Sequence, residues 1–483
     1  MKASGQTMLR APVHIAPASI VRAGLCIGCG SCAARPQAIP EGDAAPVARM
    51  RLDTLGELRP AAATSWMREG PRDFARICPF SPEAPDEDEL ADALFASAAH
   101  SDPRIGRFER AYVGHAAEGD YRQRGSSGGM AGWTAAELLR RGLVDAVAHV
   151  LPVEGSRLFR YGISRSPLAL ARGAKSRYYP VEMSQVLREI RETPGRYAVV
   201  GVPCFVKAVQ LLRREDALMR ERFVFTLGLF CGHMKSALLV ESFARQLGVA
   251  PRDILTVDFR LKDPSRPANR YTLQITLRDG RLLQRDWFHL IEGDWGSGFF
   301  QNPACNFCDD VVAETADISF GDAWVEPHAS DWRGTNVVIA RSPELARLIE
   351  AGIAQGRLAL SPVDADFIAR TQAAGLRQRR EGLAYRLALR TPASRPRKRV
   401  RAGASLPWRR RLIYRARAAI SRWSRPLQRA ALALHAPWLY GAWGRAALAV
   451  YQGLAYGRGR LGRALWRVPP LRPPPDGNGQ GVD

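Results

Sequence analysis

The residues best placed to do chemistry are eight cysteines, and the segments carrying them divide into two sets. Cys305 and Cys308 stand in C-x-x-C spacing after Pro303, ahead of a strand-like run into Gly321-Asp322-Ala323-Trp324. A C-x-x-C pair is half a metal site. Cys204, in the run GVPC, and Cys231, in LFCGH, each follow an apolar strand-like stretch and can supply the other half. Four thiolates gathered from three segments suit an iron–sulfur cluster or a structural zinc.

The second set opens the chain. Cys26, Cys29 and Cys32 are spaced C-x-x-C-x-x-C, and Cys78 precedes Pro79 after a gap of 45 residues. Three close thiolates and a remote Cys-Pro form the bacterial ferredoxin arrangement, in which the remote sulfur takes the fourth iron. Gly24, Gly28 and Gly30 suit a chain wrapped tightly round a cluster, because glycine accepts positive φ. Zinc is the alternative ligand, but zinc motifs rarely place three cysteines at this spacing.

These residues need a scaffold, and the pattern predicts an α/β core, an α+β mixture in detail. Strand-like runs at Arg196–Val202 and Phe223–Phe230 lead to Cys204 and Cys231, with a helix after the first, so chemistry is expected at the carboxyl ends of strands. Ser126, Ser127, Gly128 and Gly129 form a turn just before a helix, where free N–H groups favour an anion; a plain tight turn is the alternative. Lys175, Ser176, Arg177 and Tyr178 set positive charge beside an aromatic ring, as a nucleotide requires, or else form a solvated loop. Asp279-Gly280 marks a hairpin. Asp294–Gln301 is expected to be a mobile glycine-aromatic segment, and the stretch after the helix Pro343–Gln355 a helical cap to about Ala384. Three regions result: 1–105 with the first cysteine set and a connector helix, 106–390 as the core, and 391–483 as a basic tail.

The formal charge is +23, but 19 lysines and arginines against two aspartates lie after residue 390. Trp408, Leu412, Ala416, Ala419 and Trp423 share one helical face there, with Arg409, Arg410, Arg411, Arg415, Arg417 and Arg422 over the others. That pattern suits an anionic membrane surface; a basic extension without fixed structure is the alternative. Pro426 and Pro437 are expected to break the tail into short helices, and Pro469–Asp483 to lack structure. Nucleic acid is not an expected partner, since no recognition module accompanies the charge. The opening residues show no secretory signal, and no run reaches the ~18 to 20 apolar residues of a spanning helix. The cysteines are therefore expected reduced, in a cytoplasmic protein peripheral to the inner membrane.

Taken in order, CIGCGSC, CP, SSGG, SRYYP, GVPC, FCGH, CNFC and ISFGDAW resemble the family of coenzyme F-420 hydrogenase/dehydrogenase beta subunits over roughly Val21 to Leu345. That family is similar in turn to 7-hydroxymethyl chlorophyll reductase and ferredoxin-dependent divinyl chlorophyllide vinyl reductase. The resemblance implies an FAD-containing oxidoreductase fed by two 4Fe-4S clusters. By it, Ser126, Ser127, Gly128, Gly129, Lys175, Ser176, Arg177 and Tyr178, with Gly201 and Pro203, hold FAD. Cys204, Cys231, Cys305 and Cys308 hold the cluster nearer the flavin, and Cys26, Cys29, Cys32 and Cys78 the outer one. Electrons come from ferredoxin or a partner subunit and pass to a small-molecule two-electron acceptor; the alternative is a relay component with no substrate of its own. His233 is a candidate proton donor. Asp309, Asp310 and Asp322 are expected to orient backbone at the cluster or shape the flavin cavity.

Overall fold

Runs such as Tyr197–Gly201 and Phe223–Leu229 are apolar on successive residues, which suits strands covered on both faces. They form the middle of an eight-stranded sheet. Its order is Leu358–Pro362, Arg110–Ala116, Asn336–Ala340, Ile318–Asp322, Phe223–Leu229, Tyr197–Gly201, Ala146–Pro152 and Phe159–Ser164. The four strands from Ile318–Asp322 to Ala146–Pro152 run parallel, and the flanking ones are antiparallel. The computed structural model describes residues 15–36, 48–155, 157–391 and 395–466. The opening residues, where no secretory signal is expected, and Pro469–Asp483 lie outside the described residues.

Strand alternation divides the apolar side chains between two layers. Ala146, Ala148, Tyr197 and Val199 face the helices Ser184–Glu192 and Pro203–Glu215 through Val186, Leu187, Phe205 and Val209. Val147, Ala198, Ile318 and Phe320 face Met130–Arg140 and Pro343–Ala354 through Trp133, Leu138, Leu345 and Ile349. A three-stranded antiparallel sheet, Ile254–Leu261, Thr272–Leu277 and Leu282–Asp286, stands beside this body, with the expected turn at Asp279-Gly280. The first cysteine segment shares the core of the first layer: Ile27, Phe74, Ile77 and Phe80 pack in the same cluster as Val186 and Leu187, and the Met183 N–H donates to the Cys29 carbonyl at 2.8 Å.

Three expectations are corrected. The helical cap after Gln355 begins instead with an edge strand, Leu358–Pro362, in which buried Leu358 and Leu360 alternate with exposed Ala359 and Ser361; helices follow at Ala365–Thr371, Ala373–Arg379 and Glu381–Ala388. Asp294–Gln301 is packed rather than loose, with Phe299 and Phe300 fully buried against Trp443 and Tyr440. The tail is neither an unstructured extension nor a string of short helices. One 26-residue helix, Trp408–Ala433, runs through Pro426, and Pro437–Tyr456 packs back along it. Ile413, Ile420, Tyr440, Tyr451 and Leu454 join the same core as Phe243 and Trp287. Arg417, expected on a polar face of the helix, is buried, and so is Arg425.

Candidate functional site

The first four cysteines meet at one place. Cys26, Cys29, Cys32 and Cys78 line one pocket walled by Ile20, Leu25, Ile27, Phe74, Ile77 and Phe80. Gly24, Gly28 and Gly30 all take positive φ, as the tight wrap requires; a side chain on Gly28 would also meet the Leu58 carbonyl oxygen at 2.6 Å. Burial pushes the Cys29 thiol up to about 11 and those of Cys32 and Cys78 well above the ordinary range, and the cysteines raise one another further. Bare thiolates would be costly in such a pocket, whereas thiolates bound to cationic iron would not.

The second four also converge, and the strand ends bring them there. Cys204 lies in the first turn of Pro203–Glu215, directly after the strand Tyr197–Gly201, and Cys231 follows the neighbouring strand Phe223–Leu229. Cys305 sits in the 3₁₀ turn Pro303–Phe307, whose entry is fixed by Asn302 accepting from the Ala304 N–H at 3.0 Å. The Met234 N–H donates to Cys305 Sγ at 3.3 Å, and Cys204 Sγ is 3.8 Å from Met234 Sδ. Burial lifts all four thiols, to about 11 at Cys305, while the buried Arg379 guanidinium lowers Cys231, Cys305 and Cys308. Among the described residues, no group of three or more His, Cys, Asp or Glu is set closely enough to hold a single metal ion. In tetrahedral zinc sites the sulfurs stand about 3.8 Å apart, given Zn–S bonds of about 2.3 Å.

The two sets are neighbours. Cys29 and Cys308 belong to one buried cluster, with Tyr161 and Phe205 in it and Cys26, Cys32, Cys78 and Cys204 packed against it. Tyr161 stacks on Phe205 at 5.9 Å and donates its hydroxyl to the Val200 carbonyl at 2.9 Å. Gly201 and Pro203 belong to this junction: a side chain on Gly201 would press Phe205 Cβ at 3.3 Å and the Tyr161 hydroxyl at 3.4 Å.

A second, more polar cavity is lined by Ser126, Arg260, Lys262, Arg266, Arg270, Tyr271 and Trp332, among others. Of the expected FAD residues, Ser126 borders it. Ser126 Oγ accepts from the Ser176 N–H at 2.8 Å, so the two expected loops do meet. Ser127 is tied to the Thr335 carbonyl at 2.9 Å, and a side chain on Gly128 would come within 2.8 Å of both the Gly114 carbonyl oxygen and the Asn336 amide. Gly129, at φ 81°, starts Met130–Arg140, whose first N–H is taken by Asn336 Oδ1 at 3.1 Å. Lys175 pairs with Asp258 at 3.1 Å. Arg177 lies over the Phe159 ring at 4.9 Å, and Tyr178 packs on Trp295 at 4.7 Å.

Sequence reasoning misses the cationic wall. In Asp258-Phe-Arg260-Leu-Lys262-Asp263, alternate residues project on one side of the strand end, and that two-residue spacing of Arg260 and Lys262 is the available signal. Arg260 is bonded to Asp322 at 2.9 and 3.1 Å and lies over the rings of Tyr271 and Trp324 at 4.4 and 5.4 Å. Lys262 donates to the Ser127 carbonyl at 2.9 Å; burial and the nearby Lys175, Arg122 and Arg260 charges bring its ammonium down to about 7.

His233, two residues after Cys231, packs on Trp295, which is outside the lining of this cavity. It is buried, stacks on Trp295 at 4.4 Å, and has Nδ1 3.5 Å from Arg417 Nη2, while Nε2 has no partner among the described residues. Burial and the Lys235, Arg417 and Arg379 charges hold it well below its ordinary value, so the ring is neutral. Asp310 accepts from the Val312 and Glu314 N–H groups at 2.9 Å each, fixing the backbone after Cys308, and Asp309 pairs with Lys398 at 2.9 Å.

Residues 111–188 match the family model for the N-terminus of the coenzyme F-420 hydrogenase/dehydrogenase beta subunit, and residues 195–366 the model for its C-terminus. The chain is 29% identical over 160 residues to one of the subunits of the F(420)H(2) dehydrogenase of Methanosarcina mazei, an alignment covering 32% of this chain and 40% of that relative. A chain in the F-420-reducing NiFe hydrogenase complex from Methanosarcina barkeri is similar at 15% identity and a TM-score of 0.48, over 62% of this chain and 99% of the other.

Proposed function

The chain belongs to the family of coenzyme F-420 hydrogenase/dehydrogenase beta subunits, which are redox proteins, and from that membership we propose that it is an iron–sulfur flavoprotein reductase. What supports the reading is that Cys26, Cys29, Cys32 and Cys78 line one pocket and share a packed cluster with Cys204 and Cys308. Each set would hold one 4Fe-4S cluster for one-electron transfer, and FAD bound at the Ser126 cavity would convert single electrons into two-electron reduction.

The chain's own residues do the rest. Arg260, Lys262, Arg266 and Arg270 supply positive charge for the anionic part of a ligand, and Tyr271 and Trp332 supply flat apolar surface. The Trp295 ring packs on both His233 and Tyr178, and so links the segment after Cys231 to the loop 175–178. Lys262 Nζ, near neutrality between its two forms, can hold or release a proton at the cavity wall. His233 enters this reading as a neutral imidazole at most. Ferredoxin or a partner subunit would donate the electrons. Protein purified without oxygen should be brown, carry close to eight irons per chain and release FAD on denaturation; zinc in place of iron would end the proposal.

A relay reading is favoured by one observation, that the relatives are named as components of larger assemblies. A relay would have its flavin reduced by a donor yet never reoxidised by any small acceptor, whereas a reductase turns over.

The proposal places the protein in the cytoplasm, attached peripherally to an anionic membrane. No helix among the described residues is long and apolar enough to cross one. On the side of Trp408–Ala433 away from the core, Trp408, Leu412 and Trp423 are exposed, flanked by exposed Arg411, Arg415 and Arg422; Trp438 on the next helix is 67% exposed. No acidic residue occurs from 391 to 466. Flotation with phosphatidylglycerol vesicles should carry the protein upward, and replacing Trp408, Leu412 and Trp423 by serine should leave it at the bottom. Equal flotation on neutral vesicles would remove the electrostatic part.

A further inference from the structure

Three arginines from the C-terminal region, Arg379, Arg386 and Arg417, lie buried with no ion-pair partner among the described residues, and the first two hold backbone carbonyls of the segment that carries Cys305 and Cys308. Arg379, at the end of Ala373–Arg379, donates to the carbonyl oxygens of Cys305 at 3.1 Å, Cys308 at 3.3 Å, Cys231 at 3.3 Å and Gly232 at 2.5 Å. Arg386 donates to the carbonyl of Asn306 at 2.7 Å and that of Gln378 at 2.8 Å. Arg417 donates to Gln301 Oε1 at 2.9 Å and to the Gly296 carbonyl.

Carbonyl groups satisfy guanidinium N–H donors, but they bring no net negative charge. A buried guanidinium without a counter-ion is costly, and three within one neighbourhood repel one another. The nearby carboxylates are engaged elsewhere: Asp309 faces Lys398 and Arg399, Glu314 faces Arg399, and Asp310, with no ion-pair partner among the described residues, turns its two oxygens to the Val312 and Glu314 N–H groups. The groups beside Arg379 that can still supply negative charge are the sulfurs of Cys231, Cys305 and Cys308, whose own backbone carbonyls it holds. Protonated thiols cannot do this. Four thiolates on a 4Fe-4S core form a doubly negative unit, which becomes triply negative when it takes up one electron.

We propose that Arg379, with Arg386 behind it, is the built-in counter-charge of an iron–sulfur cluster at Cys204, Cys231, Cys305 and Cys308, and that Arg379 is the positioning residue that favours its reduced state. The inference rests on the proposed function. One electron arriving from the outer cluster or a one-electron donor protein adds one negative charge, with no bond made or broken and no proton required. All three arginines lie beyond residue 366, where the family match ends, so the tuning comes from the part of the chain that wraps the core.

The test uses the full chain, reconstituted with iron and sulfide, and follows the inner cluster by redox titration with electron paramagnetic resonance. Arg379→Met should lower the midpoint potential by about 59 mV, a tenfold loss in the reduced-to-oxidised ratio at fixed potential, and Arg379→Lys should recover part of it. In thermal melting, Arg379→Met should lower the melting temperature of the loaded protein while leaving the iron-free protein unchanged or more stable. A merely structural arginine would shift both forms downward together. Should Arg379→Met fail to fold, Arg386→Met gives the same readouts and should move them in the same direction by less. Iron bound with an unchanged potential in these variants would overturn the inference alone; wild-type chain that takes up no iron would overturn the proposed function with it.

Discussion

Asp322 grips Arg260 at two points, 2.9 and 3.1 Å, at the very end of a parallel strand, and so holds the guanidinium over the Tyr271 ring on the wall of the Ser126 cavity. The pair is mostly buried, and Arg260 Nε has no partner of its own among the described residues. Asp322→Asn keeps the shape and removes the countercharge. It should cost about 3 kcal/mol, the scale for stranding one member of a buried pair. Urea unfolding of the two proteins measures this, and a weaker FAD affinity should accompany it. Equal stability would show that the carboxylate is dispensable.

Lys262 makes the cavity sensitive to pH. Its ammonium titrates near 7, well below the value of a free lysine, because burial and three cations oppose the charge. An anionic ligand should therefore bind more weakly as pH rises from about 6 to about 8.5, as the ammonium is lost. Stability of the ligand-free protein has the opposite sign: the unfolded lysine holds its proton up to about 10.4, so between about 7 and 10.4 the unfolded state binds more protons and folding gains as pH rises. Lys262→Met should flatten both trends. Dissociation constants for FAD and melting temperatures across that range test them; a Met variant with the wild-type slopes would place the titration elsewhere.

The strands and cysteines were legible because their signals are local: an apolar run, a C-x-x-C, a glycine where the chain must turn. Cys26, Cys29, Cys32 and Cys78 line one pocket, and Cys204 and Cys231 follow neighbouring parallel strands. What was not legible is long-range compensation of charge. Arg425 reads as one more surface arginine of a basic helix, yet its partner is Glu57, 368 residues away. Arg260 and Lys262 look like a solvated strand end until Asp322 and Ser127 are placed beside them. Trp408, Leu412 and Trp423 do form a stripe, but the buried face of their helix is the opposite one, built from Ile413, Arg417, Ile420, Ser424 and Gln428. Helical periodicity names two faces and does not say which one the core takes.

Gly321 in the GDAW run is there for packing. A side chain on it would come within 2.0 Å of the Phe230 ring, the residue immediately before Cys231. Gly321→Ala must push that ring aside and with it the turn that presents the thiol. Overpacking of this kind typically costs about 1 to 3 kcal/mol. Iron retained per chain after gel filtration should fall along with the melting temperature. A variant that keeps its full iron content would mean that Phe230 can move without disturbing Cys231.

The tail should prove to be part of the fold, and two of its side chains separate that role from any surface role. Arg425, on the inner face of Trp408–Ala433, forms a buried pair with Glu57 in the first cysteine segment; Trp423, two residues earlier, is 48% exposed. Arg425→Met leaves the Glu57 carboxylate with Arg59 alone and should cost about 3 kcal/mol, at the lower end of the range for breaking a buried pair because one partner stays. Trp423→Ser, by contrast, should change stability by no more than about 0.5 kcal/mol. Because Arg425 joins the tail to the hairpin Arg49–Leu52 and Leu58–Ala61, its loss should also loosen the outer cysteine loop, seen as faster alkylation of Cys26 in iron-free protein. If both substitutions leave stability untouched, the long helix is not anchored by its charged inner face. If Trp423→Ser is the more damaging of the two, the helix is docked the other way round.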